Sequence, residues 1–120
     1  MARILVVEDD PTVAKILEIA LARAGYGFQL ARDYASAKLA LGQEWDAILL
    51  DLNLPGGSGL ELLRHLRKEL GSPTPVIVLS GLKQEGTAKE ALALGAQEYL
   101  TKPFSPLELL QRLRSYTTPV

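Results

Sequence analysis

The chain has 120 residues, of which 48% are hydrophobic and 22% charged, a balance typical of one globular domain with a substantial core. Its net charge of −1 provides no basic surface for nucleic acid, and the lack of cysteine excludes disulfides, thiolate metal sites and a cysteine nucleophile. No apolar run approaches the roughly 18 residues of a membrane span, and no signal-peptide pattern is present. We therefore expect one domain over residues 1–120 in a cytoplasmic protein.

Short apolar runs alternate with helical patterns from the N-terminus onward. Arg3–Val7 is predicted to be the first strand. In the helix that follows, Asp10 caps the N-terminus, Pro11 occupies the first turn, and Gly25 provides a C-terminal stop. Helical periodicity predicts that this helix buries one face, formed by Val13, Ile16, Leu17, Ala20, Leu21 and Ala24.

The middle of the chain repeats this alternation with shorter elements. Gly27–Ala31 and Asp46–Leu50 are predicted as the second and third strands, with a helix over Tyr34–Gly42 between them. A longer helix is predicted over Ser58–Gly71. Its core face consists of Leu60, Leu63, Leu66 and Leu70.

The last third contains two more strands and two more helices. Pro75–Ser80 is rich in β-branched residues without alternation, which predicts a strand that is buried on both faces. A helix is predicted over Gln84–Ala96, a short strand over Glu98–Thr101, and a final helix over Ser105–Tyr116. The final helix begins with Ser-Pro-Leu-Glu, a capping box with proline in the first helical position.

Five strands that alternate with five helices predict an α/β fold with βαβ units and a parallel sheet. The expected architecture is a doubly wound, five-stranded sheet of order 2-1-3-4-5, the flavodoxin-like arrangement. In such sheets, ligands bind beyond the C-terminal ends of the strands, here between the first and third strands.

Chemically active side chains follow four of the predicted strands at this edge. Glu8 and Asp9 follow the first strand, Asp51 the third, Ser80 ends the fourth, and Lys102 follows the fifth. Each of them alone has an ordinary interpretation as a cap, a turn residue or a solvated charge. Their coincidence at one sheet edge is what indicates a functional site.

The chemistry of these groups favours phosphoryl transfer assisted by a metal ion. Neighbouring carboxylates repel one another without a counter-charge, and oxygen ligands without His or Cys suit Mg²⁺. A carboxylate beside a cation can attack phosphorus, as in aspartyl-phosphate chemistry, while the cation and Lys102 balance the charge of the phosphoryl oxygens. We therefore predict Asp51 as the nucleophile, mounted on a rigid strand end, and Ser80 as a hydrogen-bond donor to the phosphoryl group.

Four segments resemble the response-regulator receiver domain of two-component signalling, of the chemotaxis-regulator type. ILVVEDD resembles the first strand and acid pair of that family, and DLNLPGGSG resembles its phosphoacceptor segment. VIVLSG resembles its fourth strand with the switch hydroxyl. GAQEYLTKPFSPLEL resembles its fifth strand with the switch aromatic, the Lys-Pro pair and the last helix. The resemblance covers essentially the whole chain.

The resemblance implies a role for each residue at the site. Asp51 would accept a phosphoryl group from a sensor histidine kinase or a phosphotransfer protein. Mg²⁺ would be held by Glu8, Asp9 and Asp51, together with the backbone carbonyl of Asn53. Kinase recognition would use the first helix, at exposed positions such as Thr12, and the loop after the fifth strand.

The resemblance also implies a switch. Ser80 would move toward the phosphoryl group, Lys102 would bind it, and Tyr99 would swing inward, which would change the surface of helix 4, strand 5 and helix 5. That surface would also be the site of a possible homodimer, although helix 4 lacks several of the charges through which related transcription factors pair. The family has a cis bond at the position of Lys102–Pro103. The implied domain is a phosphoacceptor signalling domain that assists its own phosphorylation and dephosphorylation. It is expected to be neither an enzyme nor a membrane protein, and not to bind nucleic acid by itself.

Three other functions are compatible with parts of the pattern. An aspartyl phosphatase would carry its nucleophile after the first strand, where the Glu8-Asp9 pair lacks the expected spacing of two acids. A nucleotide or flavin binder would have a Gly-rich loop after that strand, whereas acids stand there. A pseudo-receiver that binds partners without phosphorylation would not need Asp51, Ser80 and Lys102 together.

Overall fold

The computed structural model describes residues 2–81 and 85–117. The elements are β1 (Arg3–Val7), α1 (Pro11–Arg23), β2 (Gly27–Ala31), α2 (Tyr34–Ala40), β3 (Ala47–Asp51), β4 (Asn53–Leu54), β5 (Gly57–Ser58), α3 (Gly59–Arg64) with a π-helical continuation (His65–Glu69), β6 (Val76–Ser80), α4 (Glu85–Ala93), β7 (Glu98–Thr101) and α5 (Pro106–Arg114). In the described part of the chain, no helix has the length and apolar character needed to cross a membrane.

The main sheet has five strands in the order β2-β1-β3-β6-β7, and every neighbouring pair is parallel. Counted without the short β4 and β5, this is the predicted order 2-1-3-4-5, so the predicted flavodoxin-like fold is confirmed. The order makes β1 and β3 neighbours, which brings their C-terminal ends together at one edge of the sheet.

The sheet is buried on both faces because successive strand residues point to opposite sides. One core cluster joins strand residues to α2, α3 and α4, and includes Leu5, Ile48, Val78, Ala37, Leu63 and Ala91. The other joins the alternate strand residues to α1 and α5, and includes Ile4, Leu49, Ile77, Leu17 and Leu109. This double burial holds the strand ends, and hence the side chains that follow them, in fixed positions.

Caps support the predicted N-termini of the first and last helices and the predicted C-terminal stop of the first helix. Asp10 Oδ1 accepts hydrogen bonds from the backbone N–H groups of Thr12 and Val13, and Ser105 Oγ accepts them from Leu107 and Glu108. These bonds satisfy backbone donors that have no partner inside the helix. Gly25 follows α1 with φ at +89°, a left-handed conformation that glycine adopts without strain.

The predicted core face of α1 was wrong at one position. The buried residues are Ala14, Leu17 and Leu21, whereas Ile16 is 44% exposed. Ile16 lies instead over a groove between α1 and α5. The pattern missed Ala14 because alanine is a weak hydrophobic signal, although its small side chain suits close packing against the sheet.

The predicted core face of the third helix was also partly wrong. Leu62 is buried, whereas Leu70 is 43% exposed. The exposure of Leu70 follows from the π-helical turn, in which the Leu70 N–H donates to the carbonyl of His65, five residues earlier, whereas Leu62 lies in the regular helix before this turn. The wider turn rotates the following residues away from the positions that a regular helix would give them.

The π-helical turn places Arg67 against the end of α4. Arg67 Nη2 donates to the Gly95 carbonyl at 2.8 Å, and Nη1 donates to the Ser72 carbonyl at 2.8 Å. Burial lowers the pKa of the Arg67 guanidinium. A half-buried cation therefore binds a backbone carbonyl just beyond the C-terminal end of α4, where the helix dipole favours positive charge.

Several element ends differ from the predictions. The fourth helix ends at Ala93 because Gly95 adopts a left-handed φ of +104°, and its predicted start at Gln84 lies outside the described residues. The short β4 and β5 were not predicted at all. The remaining differences are small shifts of element ends. The strand β3 spans Ala47–Asp51, β6 begins at Val76, and α2 ends at Ala40. The third helix spans residues 59–69, and α5 spans Pro106–Arg114.

The two leucines of the third helix give a test of the π-helical turn. We expect Leu62→Ala to lower the free energy of unfolding by about 2–5 kcal/mol, because it leaves a cavity in the core. We expect Leu70→Ala to lower it by less than about 1 kcal/mol, because Leu70 stands partly in solvent. Urea unfolding of both variants measures the difference, and equal losses would contradict the register described here.

Candidate functional site

The side chains predicted from the strand ends do converge at the C-terminal edge of the sheet. Val7 is aligned with Leu50 in the pairing of β1 and β3, so Glu8 and Asp51 follow at adjacent positions. Ser80 ends β6 on the other side of β3, and Lys102 follows β7. Four strands thus place these residues at the same edge of the sheet.

Three acids lie close together at this edge. Carboxylate oxygens of Glu8, Asp9 and Asp51 are all within 4.8 Å of one another. Glu8 is fully buried and Asp51 is 4% exposed, whereas Asp9 is exposed. The cluster is therefore closed toward the core and open to solvent on the side of Asp9.

Lys102 is the cation of this cluster. Its Nζ lies 2.7 Å from Glu8 Oε1 and 3.4 Å from Asp51 Oδ2. One ammonium therefore bridges the two buried carboxylates, which would otherwise repel each other. When all three acids are ionised, three negative charges face one positive charge, and the site has an excess of negative charge.

This arrangement shifts the proton affinities of both partners. Burial raises the pKa of Glu8 to about 7, the adjacent Lys102 ammonium opposes that rise, and the charge of Asp51 adds to it. For Lys102, burial alone lowers the pKa, but Glu8 and Asp51 outweigh it and the net effect is a raised pKa. The ammonium consequently stays charged at neutral pH, while Glu8 is close to half-protonated in the metal-free protein.

Backbone N–H groups orient the two buried carboxylates. Asp51 Oδ1 accepts from the N–H of Asn53 at 3.1 Å, and Glu8 Oε2 accepts from the N–H of Asp10 at 3.2 Å. Within residues 2–81 and 85–117, Glu8 Oε1 accepts no hydrogen bond of good geometry, although it is buried and paired with Lys102. An under-satisfied buried oxygen beside two other carboxylates fits a hard divalent cation, so the donor set suits Mg²⁺.

The loop after Asp51 is more ordered than the sequence indicated. Asn53 and Ser58 pair across the small antiparallel ribbon of β4 and β5, and the Gly59 N–H donates to the Leu52 carbonyl at 2.9 Å. A Cβ on Gly59 would lie 2.6 Å from the Asp51 carbonyl oxygen. Gly59 is therefore required for close packing beside Asp51, a role that sequence reasoning missed although the glycines themselves were the available signal.

Ser80 and Tyr99 occupy the neighbouring strands. Ser80 is buried at the end of β6, and its carbonyl accepts from the Lys102 N–H at 2.6 Å. Tyr99 is half-buried in β7, in register with Val78, and packs against the core cluster on the side of α4. The Lys102–Pro103 bond is cis, as the resemblance implied. The predicted switching of Ser80 and Tyr99 stays a prediction.

Comparison with known proteins shows what this chain is similar to. The family model of the response regulator receiver domain matches residues 4–114. The phosphate regulon transcriptional regulatory protein PhoB of Escherichia coli (strain K12) is 41% identical over 115 residues, which cover 94% of this chain and 50% of PhoB. The chain thus spans about half the length of the curated relatives that it matches.

Solved structures agree with this similarity. The receiver domain of the Francisella response regulator 1452 superposes with a TM-score of 0.89 at 33% identity, over 97% of this chain and 96% of that one. The receiver domain of the sensor histidine kinase PA1611 from Pseudomonas aeruginosa PAO1 has a TM-score of 0.86 at 34% identity, over 96% of each chain. The PA1611 structure has a magnesium ion coordinated in its active-site cleft.

The raised pKa of Glu8 predicts an unusual pH dependence of stability in the metal-free protein. The folded state holds a proton on Glu8 up to about pH 7, whereas the unfolded chain releases it near the ordinary value of 4.5. At Glu8 the folded state binds more protons in this interval, so the contribution of Glu8 to the free energy of unfolding falls as the pH rises from 4.5 to 7.

Urea unfolding in EDTA across this interval, on the wild-type protein and Glu8→Gln, measures the contribution of Glu8. We expect the wild-type protein to lose more stability with rising pH than the variant, whose amide does not ionise. Parallel pH profiles of the two proteins would contradict the raised pKa.

Proposed function

This chain belongs to the response regulator receiver domain family and is a phosphorylation-dependent signalling domain rather than a conventional enzyme, and we propose that Asp51 is its phosphoacceptor in a Mg²⁺-dependent reaction. The observation that carries this proposal is the cluster in which Asp51 lies within 4.8 Å of Glu8 and Asp9 and beside the Lys102 ammonium. The cluster combines a nucleophile, a set of metal ligands and a fixed cation.

The acids of this cluster and one backbone group would hold the metal ion. Receiver domains bind Mg²⁺ at an acidic pocket, and a related receiver domain contains magnesium in its cleft. In this chain the ligands would be the carboxylates of Glu8, Asp9 and Asp51 and the backbone carbonyl of Asn53. When bound, Mg²⁺ supplies positive charge that balances the acids and the phosphoryl oxygens.

The proposed reaction transfers one phosphoryl group to Asp51. A carboxylate oxygen of Asp51 attacks phosphorus, and the bond from phosphorus to the donor nitrogen of a phosphohistidine breaks with its electron pair remaining on nitrogen. The Asn53 N–H holds the other carboxylate oxygen in place, and Lys102 Nζ stands where it can bind a phosphoryl oxygen. Water later hydrolyses the acyl phosphate and restores Asp51.

We further propose that phosphorylation changes the surface of α4, β7 and α5. The Ser80 hydroxyl would bind the phosphoryl group, and Tyr99 would follow it toward the interior. Because the phosphoryl group makes this contact in only one arrangement of Ser80, it would shift the population toward that arrangement. The half-buried position of Tyr99 in the edge strand β7, against the core cluster that includes α4, supports this proposal.

A homodimer through α4, β7 and α5 would require an exchange of charge partners. Glu98 of β7 already pairs with Arg112 of α5, and Glu98 Oε2 accepts a hydrogen bond from the Tyr116 hydroxyl at 2.6 Å. This hydrogen bond raises the pKa of Tyr116. The proposed dimer would therefore form only if these charges found partners on the second copy at least as good as those within the chain.

The proposed phosphodonor is a sensor histidine kinase or a phosphotransfer protein, which would dock on α1 and the start of α5. An apolar groove runs between these helices, and its exposed side chains include Ile16, Ile19 and Leu107. Arg23 and Arg114 border the groove. PhoB is a transcriptional regulatory protein, and we propose that any contact of this protein with DNA lies outside the present domain, whose net charge is −1.

Intact-mass measurement tests the phosphoacceptor. After incubation with acetyl phosphate or phosphoramidate and Mg²⁺, we expect the wild-type protein to gain one phosphoryl group that hydroxylamine releases. EDTA and Asp51→Asn should each abolish the gain. Asp46→Asn, at the opposite end of β3, is the matched control and should be phosphorylated normally. A folded wild-type protein that gains no mass would instead indicate a pseudo-receiver.

Leu107→Glu tests the docking groove, because Leu107 is 61% exposed and the change introduces a charge into apolar surface. We expect phosphotransfer from a reactive kinase, chosen from a panel of purified sensor kinases, to fall by about tenfold, which corresponds to about 1.4 kcal/mol. Phosphorylation by acetyl phosphate should be unchanged, since it does not use the groove. Leu39→Glu, an exposed leucine of α2, is the control. Equal transfer to all three proteins would refute this docking surface.

A further inference from the structure

The side chain of Tyr34, the first residue of α2, packs against Gly57 in the loop that follows Asp51. A Cβ built on Gly57 would lie 2.4 Å from Tyr34 Cδ2 and 2.6 Å from Tyr34 Cγ. Gly57 is not among the glycines with positive φ, so its backbone would accept any residue. Glycine is therefore required at position 57 for space alone, and the ring of Tyr34 occupies that space.

A second contact joins Tyr34 to the same loop. The Tyr34 N–H donates to the Pro55 carbonyl at 3.0 Å. The first N–H groups of a helix have no partner within the helix, so this donor is free to bind the loop without any loss to α2. The N-terminus of α2 is itself held by Asp33, whose Oδ1 accepts from the Ser36 N–H at 2.8 Å. Tyr34 thus touches the loop from a capped helix end.

The ribbon of β4 and β5 connects these contacts to the metal site. Gly57 is paired with Leu54, and Ser58 is paired with Asn53. Asn53 in turn donates its N–H to Asp51 Oδ1. A displacement of Gly57 would therefore move Asn53, whose backbone carbonyl is the proposed metal ligand.

We propose that Tyr34 is a positioning residue for the metal site, with its ring on Gly57 and its N–H on Pro55 holding the loop so that Asn53, whose N–H binds Asp51 Oδ1, stays in place. The inference rests on the proposed function, in which Asn53 is a metal ligand. If the loop is already ordered in the metal-free protein, Mg²⁺ binding does not bear the entropic cost of ordering it. The contact of Tyr34 with the loop therefore increases Mg²⁺ affinity. Loss of groups that support metal ligands commonly weakens affinity by about tenfold or more.

The experiment is a measurement of the Mg²⁺ Kd by isothermal titration calorimetry on a double-mutant cycle. We expect Tyr34→Ala to raise the Kd by about tenfold, and Tyr34→Phe, which keeps the ring, to leave it unchanged. Gly57→Ala should raise the Kd in the presence of Tyr34, because the methyl group displaces the ring or the loop. In the Tyr34→Ala protein the same substitution should add little, because the space is empty.

Tyr26→Phe controls for a general loss of stability. The Tyr26 hydroxyl accepts a hydrogen bond from Thr117 Oγ1 at 2.8 Å. Tyr26 immediately precedes β2, so it lies at the N-terminal ends of the strands, opposite the metal site. This variant should unfold at lower urea concentration with an unchanged Mg²⁺ Kd. An increased Kd in Tyr26→Phe would show that affinity follows overall stability, and it would overturn the positioning role.

The outcomes separate this inference from the proposed function. If the wild-type protein binds no Mg²⁺, or if Asp51→Asn leaves the Kd unchanged, the proposed function fails. If the wild-type protein binds Mg²⁺ through Asp51 but Tyr34→Ala binds equally well, the positioning role is wrong while the proposed function stands. If Tyr34→Ala does not fold, Gly57→Ala decides alone, and an unchanged Kd in that variant overturns the inference.

Discussion

The site depends on one ammonium shared by two buried carboxylates. Glu8 and Asp51 are adjacent because β1 and β3 are neighbours, but Lys102 follows β7, which is separated from β3 by β6. The lysine must therefore reach across the end of β6 to lie 2.7 Å from Glu8 and 3.4 Å from Asp51. A long, flexible stem with a compact charge at its tip meets this geometric requirement. Lys102 thereby opposes the rise in the pKa of Glu8 that burial and the charge of Asp51 cause.

In the metal-free protein the positive charge of Lys102 does not cancel the negative charges of the three acids. Lys102 compensates one of the three acids, which leaves a negative excess that a divalent cation can remove. Addition of a phosphoryl group brings further negative charge to the same few ångströms, so a fixed cation and a metal ion are both useful there. The rigid sheet, buried on both faces, holds these like charges together against their repulsion.

The fold and most of the candidate site could be predicted because they depend on local patterns. Buried runs such as Val76–Ser80 define strands, Asp10 and Ser105 define helix starts, and the sheet order then places the residues after each strand at one edge. The contact of Tyr34 with Gly57 could not be predicted in this way, because no periodicity connects a helix start to a distant loop. The π-helical turn could not be predicted from hydrophobic periodicity either, because it is accompanied by a tertiary contact, that of Arg67 with the Gly95 carbonyl.

That contact of Arg67 has a mechanical consequence for α4. The C-terminal end of this nine-residue helix is attached to the third helix through Arg67, whose hydrogen bonds also reach the Ser72 carbonyl and the Gln97 side chain. A helix of that length extends over about 13 Å, and the Arg67 hydrogen bonds fix the position of its C-terminal end relative to the third helix.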